Sequence, residues 1–154
     1  MSSDRRELDR LIAIEAIRTV IARYAIAFDD HDWANFAELW AEEAVFVADG
    51  VEFAGRDHLV EFMASCLPED YRGKHMNSPP VIELGPDLDT ATAKTDVVWI
   101  TQNFEVTIVA RYDDDLVKRA GRWLLLRRAE SGIEFKPGAP PISEAAAAVS
   151  KGMR

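Results

Sequence analysis

The sequence has a single cysteine, Cys66, among its 154 residues. One cysteine cannot close a disulfide within the chain, which fits a reducing compartment, and such a residue usually serves as a small apolar side chain. No run approaches the roughly 18 apolar residues that a membrane span needs, and the start of the chain lacks the composition of a signal peptide. We therefore expect a cytoplasmic protein without a membrane partner.

Basic residues are also in short supply. Lys and Arg total 18 against 27 Asp and Glu, which gives a net charge of −9. A negative surface repels phosphate backbones and anionic headgroups. The composition therefore argues against a nucleic-acid partner and against binding to a membrane surface.

Motifs for metals, phosphates and serine nucleophiles are missing as well. The three histidines, His31, His58 and His75, lie too far apart to give paired metal-ligand spacing. There is no glycine-rich phosphate loop and no serine nucleophile elbow. The sequence predicts neither a metal site nor a cofactor.

Apolar residues, by contrast, are plentiful. They make up 48% of the chain, enough to fill the core of one domain. We assign residues 1–135 to that domain and residues 136–154 to a C-terminal tail. The tail contains three prolines and an alanine-rich segment, which is consistent with a short helix or a lid.

Three helices are predicted in the N-terminal half. Apolar residues recur at helical spacing from Leu8 to Phe28, behind a cap at Ser3 or Asp4. A second helix runs from Trp33 to about Trp40, with Asp32 as its cap. A third opens at residues 55–57.

Strands dominate the rest of the chain. The first pair, residues 44–48 and 51–53, is joined by a tight turn at Asp49-Gly50. Further strands are expected over residues 75–84 (bent at Pro79-Pro80), 90–104, 105–112 and 122–128. Helices followed by strands predict an α+β fold, in which a curved antiparallel sheet wraps around the helices as a cone and encloses an apolar pocket.

Four segments of the chain resemble the SnoaL-like group of the NTF2-like (nuclear transport factor 2-like) superfamily. They are Arg23-Tyr24-Ala25 with Asp29 and Trp33, Phe46 through Asp57, His75-Met76-Asn77, and Arg111 through Trp123. The resemblance covers roughly residues 5 to 130 and implies the cone-shaped α+β fold. It is less specific for function, because this fold supports many activities.

Within the superfamily, the bile-acid dehydratase type fits best. It carries a Tyr, an Asp five residues later and a His at the start of a later strand, which Tyr24, Asp29 and His75 match. The dehydrochlorinase type has a Lys where Tyr24 stands. The second histidine of the scytalone dehydratase type would fall near Trp99, and the base of the ketosteroid isomerase type would fall at Ala48.

Tyr24, Asp29 and His75 are accordingly the candidate catalytic residues. An imidazole with a pKa of about 6.5 can remove a proton at neutral pH, and a neighbouring carboxylate would fix its tautomer. The phenol would polarise a carbonyl group or protonate a leaving group. Each residue also has an ordinary structural explanation: a strand-end histidine, a helix-capping aspartate and a core tyrosine.

Five further residues are candidates for binding substrate. Asn77 shares a strand face with the imidazole, because side chains alternate along a strand. Phe46, Met76 and Trp99 could form the pocket wall or simply fill the core. Arg111 could hold an acidic substrate or lie on a solvated strand face.

These residues favour a cofactor-independent lyase that removes water from a cyclic apolar substrate such as a steroid, terpenoid or polyketide. Isomerisation or cyclisation would use the same proton transfers. The alternative from another class is a non-catalytic ligand-binding module, or an assembly module that resembles the β subunit of aromatic-ring dioxygenases. The back of the sheet predicts a homo-oligomer, either a dimer or a trimer.

Overall fold

The computed structural model describes residues 3–133, so the predicted tail at 136–154 lies outside the described residues. Three helices and seven strands occupy that range. In chain order they are α1 (Ser3–Asp29), α2 (Trp33–Ala37), β1 (Trp40–Ala48), β2 (Val51–Ala54), α3 (Arg56–Cys66), β3 (Gly73–Asn77), β4 (Val81–Leu84), β5 (Thr90–Thr101), β6 (Val106–Arg119) and β7 (Arg122–Gly132). None of the three helices has both the length and the apolar character needed to cross a membrane.

Helix α1 forms where the apolar periodicity predicts it. Ile17, Val20, Ile21 and Tyr24 are buried at positions three and four apart, so one face of the helix packs into the core. The helix continues one residue beyond Phe28 and ends at Asp29. The end of α1 therefore carries a tyrosine and an aspartate towards the sheet.

Helix α2 is shorter than the sequence suggests. Asp32 caps it as predicted, because its side chain accepts a hydrogen bond from the backbone N–H of Asn35 at 3.2 Å. The helix nevertheless ends at Ala37, and Trp40 already belongs to β1. Trp40 lies opposite Leu125 of β7, whose backbone N–H bonds to the carbonyl of Leu39, so strand pairing overrides the helical pattern.

The turn at Asp49-Gly50 joins β1 to β2 as expected. Both residues have positive φ, 48° and 80°, which is the conformation that two-residue hairpins favour. Glycine adopts this conformation without steric cost, so the second position of the turn suits Gly50.

Several strand predictions need correction, and one of them is β7, which continues beyond residue 128 to Gly132. Residues 75–84 form two strands, because Pro79 and Pro80 lack backbone N–H groups and interrupt the ladder. Both strands still pair with β5. Strand β6 does not stop at Tyr112 but continues to Arg119, and Asp114 is buried along that extension.

The sheet has the order β2-β1-β7-β6-β5-β3, with β4 also paired to β5. All neighbours are antiparallel except β1 and β7, so the curved sheet is mixed rather than purely antiparallel. Register aligns His75 with Trp99, and Tyr112 with Glu130, on one face. Helices α1 and α3 pack against this face, which confirms the α+β cone.

Candidate active site

A cavity of about 160 Å³ lies between α1, α3 and the inner face of the sheet. Its wall is largely apolar, with a few polar groups from separate elements. The lining residues are Tyr24, Phe28, Phe46, Ala48, Phe62, Met63, Cys66, His75, Trp99, Ile108, Tyr112 and Glu130. An apolar hollow with a few converging polar side chains is the usual form of a small-molecule site.

A larger groove, about 540 Å³, lies on the outside of the molecule between α1 and α2. Charged side chains of both signs line it, including Arg23, Asp30, Glu38 and Arg122. None of the three predicted catalytic residues reaches this groove. Tyr24 and His75 line the smaller cavity instead.

His75 and Asp29 form a buried hydrogen-bonded pair. The imidazole Nδ1 lies 2.7 Å from Oδ1 of Asp29, and the two side chains are only 4% and 3% exposed. The backbone N–H of His75 donates to Oδ2 of the same carboxylate at 2.9 Å. An ionised carboxylate can only accept, so the Nδ1–H of His75 is the donor, and in a neutral imidazole this tautomer leaves the lone pair on Nε2.

A third donor holds the carboxylate in place. The indole N–H of Trp99 donates to Oδ1 of Asp29 at 3.2 Å. Gly73 makes this approach possible, because a Cβ on that residue would lie only 2.3 Å from the indole ring. Trp99, predicted as pocket wall, therefore has a second role: it helps to orient the Asp29 carboxylate.

Replacing Trp99 with phenylalanine should weaken the fold by removing this hydrogen bond. A bond to a charged group is worth about 1.5–3 kcal/mol, in addition to the loss from the smaller ring. Trp40→Phe is the matched control, since Trp40 is equally buried and its indole N–H has no partner among the described residues. Urea unfolding measures both free energies, and equal losses would contradict the structural role of the Trp99 N–H.

On the other side of the imidazole, Nε2 lies 3.3 Å from the hydroxyl of Tyr112. Burial raises the pKa of Tyr112 well above its ordinary value, so the phenol keeps its proton and donates it in this hydrogen bond. The lone pair of the imidazole is therefore directed towards the cavity wall that Tyr112 forms. Tyr112 was part of the family resemblance but was not predicted as a site residue.

Tyr24 lines the same cavity. Burial raises its pKa to about 12, although the positive charge of Arg128 opposes the shift. Its ring stands nearly perpendicular to the His75 imidazole, with the ring centres 6.0 Å apart. At neutral pH Tyr24 is thus a hydrogen-bond donor and not a base.

Arg128 connects the two tyrosines and was not predicted from the sequence. Its guanidinium carbon lies 4.0 Å from the centre of the Tyr24 ring and 4.1 Å from that of Tyr112. Asp114 accepts two hydrogen bonds from it, both 2.7 Å long, and neither side chain is exposed. Burial opposes the charge, but Asp114 keeps the pKa of Arg128 above its ordinary value. The cation thus fixes the tyrosine side of the cavity.

Glu130 is a second unpredicted residue in the wall. It lies opposite Tyr112 in the sheet. Burial raises its pKa and the charge of Asp49 adds to the shift, while His75 and Arg128 oppose it. The cavity therefore contains an acid and a base in different environments.

The predicted substrate-binding residues divide into two groups. Phe46 and Trp99 line the cavity, whereas Met76, Asn77 and Arg111 do not. Met76 follows His75 on the strand, so it points to the opposite face and is 60% exposed. Asn77 is half-buried beyond the cavity, and the amide oxygen has no partner among residues 3–133.

Arg111 lies on the outer face of β6. It is exposed and makes two hydrogen bonds with the carboxylate of Asp96, at 2.7 and 3.1 Å. This arrangement matches the solvated strand face that was the alternative for Arg111. Across the described part of the chain, no three His, Cys, Asp or Glu side chains cluster as a metal site would require.

The sequence also matches a known family. A model described as a SnoaL-like domain matches residues 9–129. The chain belongs to the SnoaL-like family. No curated protein matches it significantly. The membership agrees with the resemblance seen over roughly residues 5 to 130.

Solved structures share the fold of this SnoaL-like protein. A variant of Rv3472, a protein of unknown function from Mycobacterium tuberculosis, has a TM-score of 0.74 at 23% identity, covering 93% of this chain and 86% of that one. An NTF2-like protein with a cystatin-like fold from Novosphingobium aromaticivorans has a TM-score of 0.75 at 23% identity, covering 88% and 91%. A hexachlorocyclohexane dehydrochlorinase, LinA type 2, has a TM-score of 0.69 at 19% identity, covering 88% and 98%.

Proposed function

We propose that this SnoaL-like protein is a cofactor-independent lyase that eliminates water from a cyclic, largely apolar substrate. The observation that carries the proposal is the buried Asp29–His75 pair, whose imidazole lines an apolar cavity. A base of this kind removes a proton from carbon most readily beside a carbonyl group. General acid–base catalysis of such a step contributes about 10²–10⁴-fold in rate.

His75 is the base in this proposal. Its Nε2 takes the carbon-bound proton while Nδ1–H stays bonded to Asp29. The imidazolium that forms is stabilised by the adjacent carboxylate, which stays ionised. The Tyr112 hydroxyl occupies Nε2 in the resting site, so it must turn towards substrate before the proton can move.

The tyrosines stabilise the negative charge that develops on the carbonyl oxygen. Tyr24 and Tyr112 both line the cavity and both keep their protons, because burial raises their pKa values. Arg128 holds the two rings from behind. One well-placed donor to such an oxyanion is worth about 10²–10³-fold in rate.

The similarity to a hexachlorocyclohexane dehydrochlorinase adds support by analogy, since that neighbour's name describes an elimination. An isomerase or cyclase acting on a similar substrate would use the same base. A non-catalytic binding or assembly module, like the β subunit of ring dioxygenases, would have no use for a buried acid–base pair at a cavity. The Asp29–His75 geometry therefore favours the enzyme.

A turnover screen distinguishes these functions. Purified protein is incubated with cyclic β-hydroxy ketones and, separately, with β,γ-unsaturated cyclic ketones, and the absorbance of the conjugated enone is followed. Enone from the hydroxy ketones supports the lyase, and enone from the unsaturated ketones alone supports an isomerase. Ligand-induced thermal stabilisation without turnover of either set would support the binding module and contradict the lyase.

A cytoplasmic location and a homo-oligomer, either dimer or trimer, also belong to this proposal. Large apolar side chains such as Val81, Met76 and Val106 are exposed, which supports assembly. Light scattering at micromolar concentration is expected to give a multiple of the monomer mass. A monomer would contradict the oligomer.

A further inference from the structure

Glu130 is the only carboxylic acid among the residues that line the cavity in the described part of the chain. Strand β7 places it opposite Tyr112 on one side and opposite Ala48 of β1 on the other. No basic side chain within residues 3–133 pairs with it. Glu130 is half-buried, and a carboxyl in a largely apolar wall is harder to ionise than one in water, so its position calls for a chemical explanation.

The surroundings of Glu130 shift its carboxyl towards the neutral form. Burial is the main cause of the raised pKa, and the carboxylate of Asp49 in the hairpin turn adds to it. His75 of β3 and Arg128 of β7 act in the opposite direction but do not cancel the shift. Tyr112, opposite on β6, stays protonated and adds no charge. A neutral carboxyl can donate a proton, which a carboxylate cannot.

The available acids in the wall are not equivalent. The phenol of Tyr24 has a pKa of about 12, so it gives up a proton far less readily than a carboxyl does. Two titratable groups that line one site commonly divide the acid and base roles according to their environments. His75 is the base of this pair, which leaves Glu130 as the acid.

The size of the cavity limits the substrate. Its volume is about 160 Å³. An apolar protein cavity of about 150 Å³ holds one benzene ring. The site thus matches a single six-membered ring with small substituents rather than the four fused rings of a steroid.

We propose that Glu130 protonates the departing hydroxyl group of a single-ring β-hydroxy ketone. This inference rests on the proposed lyase function. The C–H bond beside the carbonyl breaks and its proton goes to Nε2 of His75, while the electron pair forms the new C=C bond. The C–O bond breaks, and the oxygen takes the Glu130 proton and leaves as water. Proton exchange with solvent then returns the imidazolium and the carboxylate to their resting states, so the net change is loss of water.

The test compares two leaving groups on one ring. 3-Hydroxycyclohexanone and 3-chlorocyclohexanone both give cyclohex-2-enone, which is followed by its absorbance after subtraction of the rate without enzyme. Chloride departs as a stable anion and needs no proton, whereas the hydroxyl group must be protonated to leave as water. Glu130→Gln should therefore lower kcat/KM for the hydroxy ketone by at least about 10²-fold and change the chloro ketone by less than about threefold. His75→Ala should slow both.

Each outcome is informative. If Glu130→Gln lowered kcat/KM equally for both ketones, or lowered it for neither, the role of Glu130 would be overturned while the lyase stayed intact. Failure of the unmodified protein to convert either cyclohexanone would overturn the single-ring assignment and the role of Glu130 with it. The lyase itself would fall only if the wider set of cyclic β-hydroxy ketones also gave no enone. Glu130→Asp, which keeps an ionisable carboxyl, should recover part of the rate on the hydroxy ketone. Thermal unfolding of each variant verifies that it is folded.

Discussion

Asp29→Asn is expected to lower kcat for the β-hydroxy ketone by about 10⁴-fold. Asparagine has the shape of aspartate but lacks its charge, so the imidazolium formed in the reaction loses its counter-ion. Its amide can also donate to Nδ1, which moves the imidazole proton to Nε2 and removes the base from the cavity. The loss from the same substitution in a serine-protease triad has this size and this cause. Enone absorbance under saturating substrate measures kcat.

The next residue offers a matched control for this experiment. Asp30 directly follows the last residue of α1, but it is exposed. Its Oδ1 lies 3.0 Å from Nζ of Lys74, which is also exposed. Asp30→Asn should change kcat by less than about twofold, because surface ion pairs contribute little. The double variant Asp29→Asn, His75→Ala should be no slower than His75→Ala alone, since the two residues act as a unit. Additive losses would contradict the dyad.

The helical side of this site follows from local sequence patterns. The periodicity of α1 places Tyr24 on its buried face, and the cluster of short polar residues after Phe28 predicts an end near Asp29. The alternation in β3 points His75 towards the core and Met76 away from it. These are short-range effects, so one stretch of sequence contains all the information that they require.

Arg128 was not predicted because a bulge just before it in β7 changes which side chains of the strand face the core. Trp123 and Leu125 are buried, and strict alternation would bury Arg127 next. Instead the register shifts by one residue on β7, between the pairs Leu125–Leu116 and Arg127–Asp115, so Arg128 points inwards. A bulge depends on the partner strand, and single-strand alternation cannot reveal it.

The remaining site residues depend on long-range register. Tyr112 and Glu130 lie opposite each other because β6 and β7 both extend past their predicted ends, residues 112 and 128, and pair along their length. Asn77 does not line the cavity, although it shares a strand face with His75 as predicted. Asp114, the buried partner of Arg128, lies two residues after Tyr112 on β6, so the two side chains share a strand face. This spacing is the one signal in the sequence that could have indicated that Asp114 is buried.

That buried ion pair should dominate the stability of the site. The side chains of Arg128 and Asp114 are both 0% exposed. Asp114→Ala leaves the guanidinium charge buried without a counter-ion, which is expected to cost about 3–5 kcal/mol in the free energy of unfolding. The control is the adjacent Asp113→Ala, whose partner Lys94 is exposed, and whose loss should not exceed about 1 kcal/mol. Urea unfolding measures both, and similar losses would show that the Arg128 charge is compensated elsewhere.

Removing both charges separates what the pair does for stability from what it does for chemistry. The double variant Asp114→Leu, Arg128→Met should recover most of the stability lost in Asp114→Ala, because apolar residues of similar volume commonly replace a buried ion pair without cost. Turnover should stay low, since no cation remains between the rings of Tyr24 and Tyr112 to fix their hydroxyls. A stable double variant with full kcat would mean that Arg128 is only a structural element. A stable double variant with low kcat would mean that Arg128 contributes to turnover by orienting the two phenols.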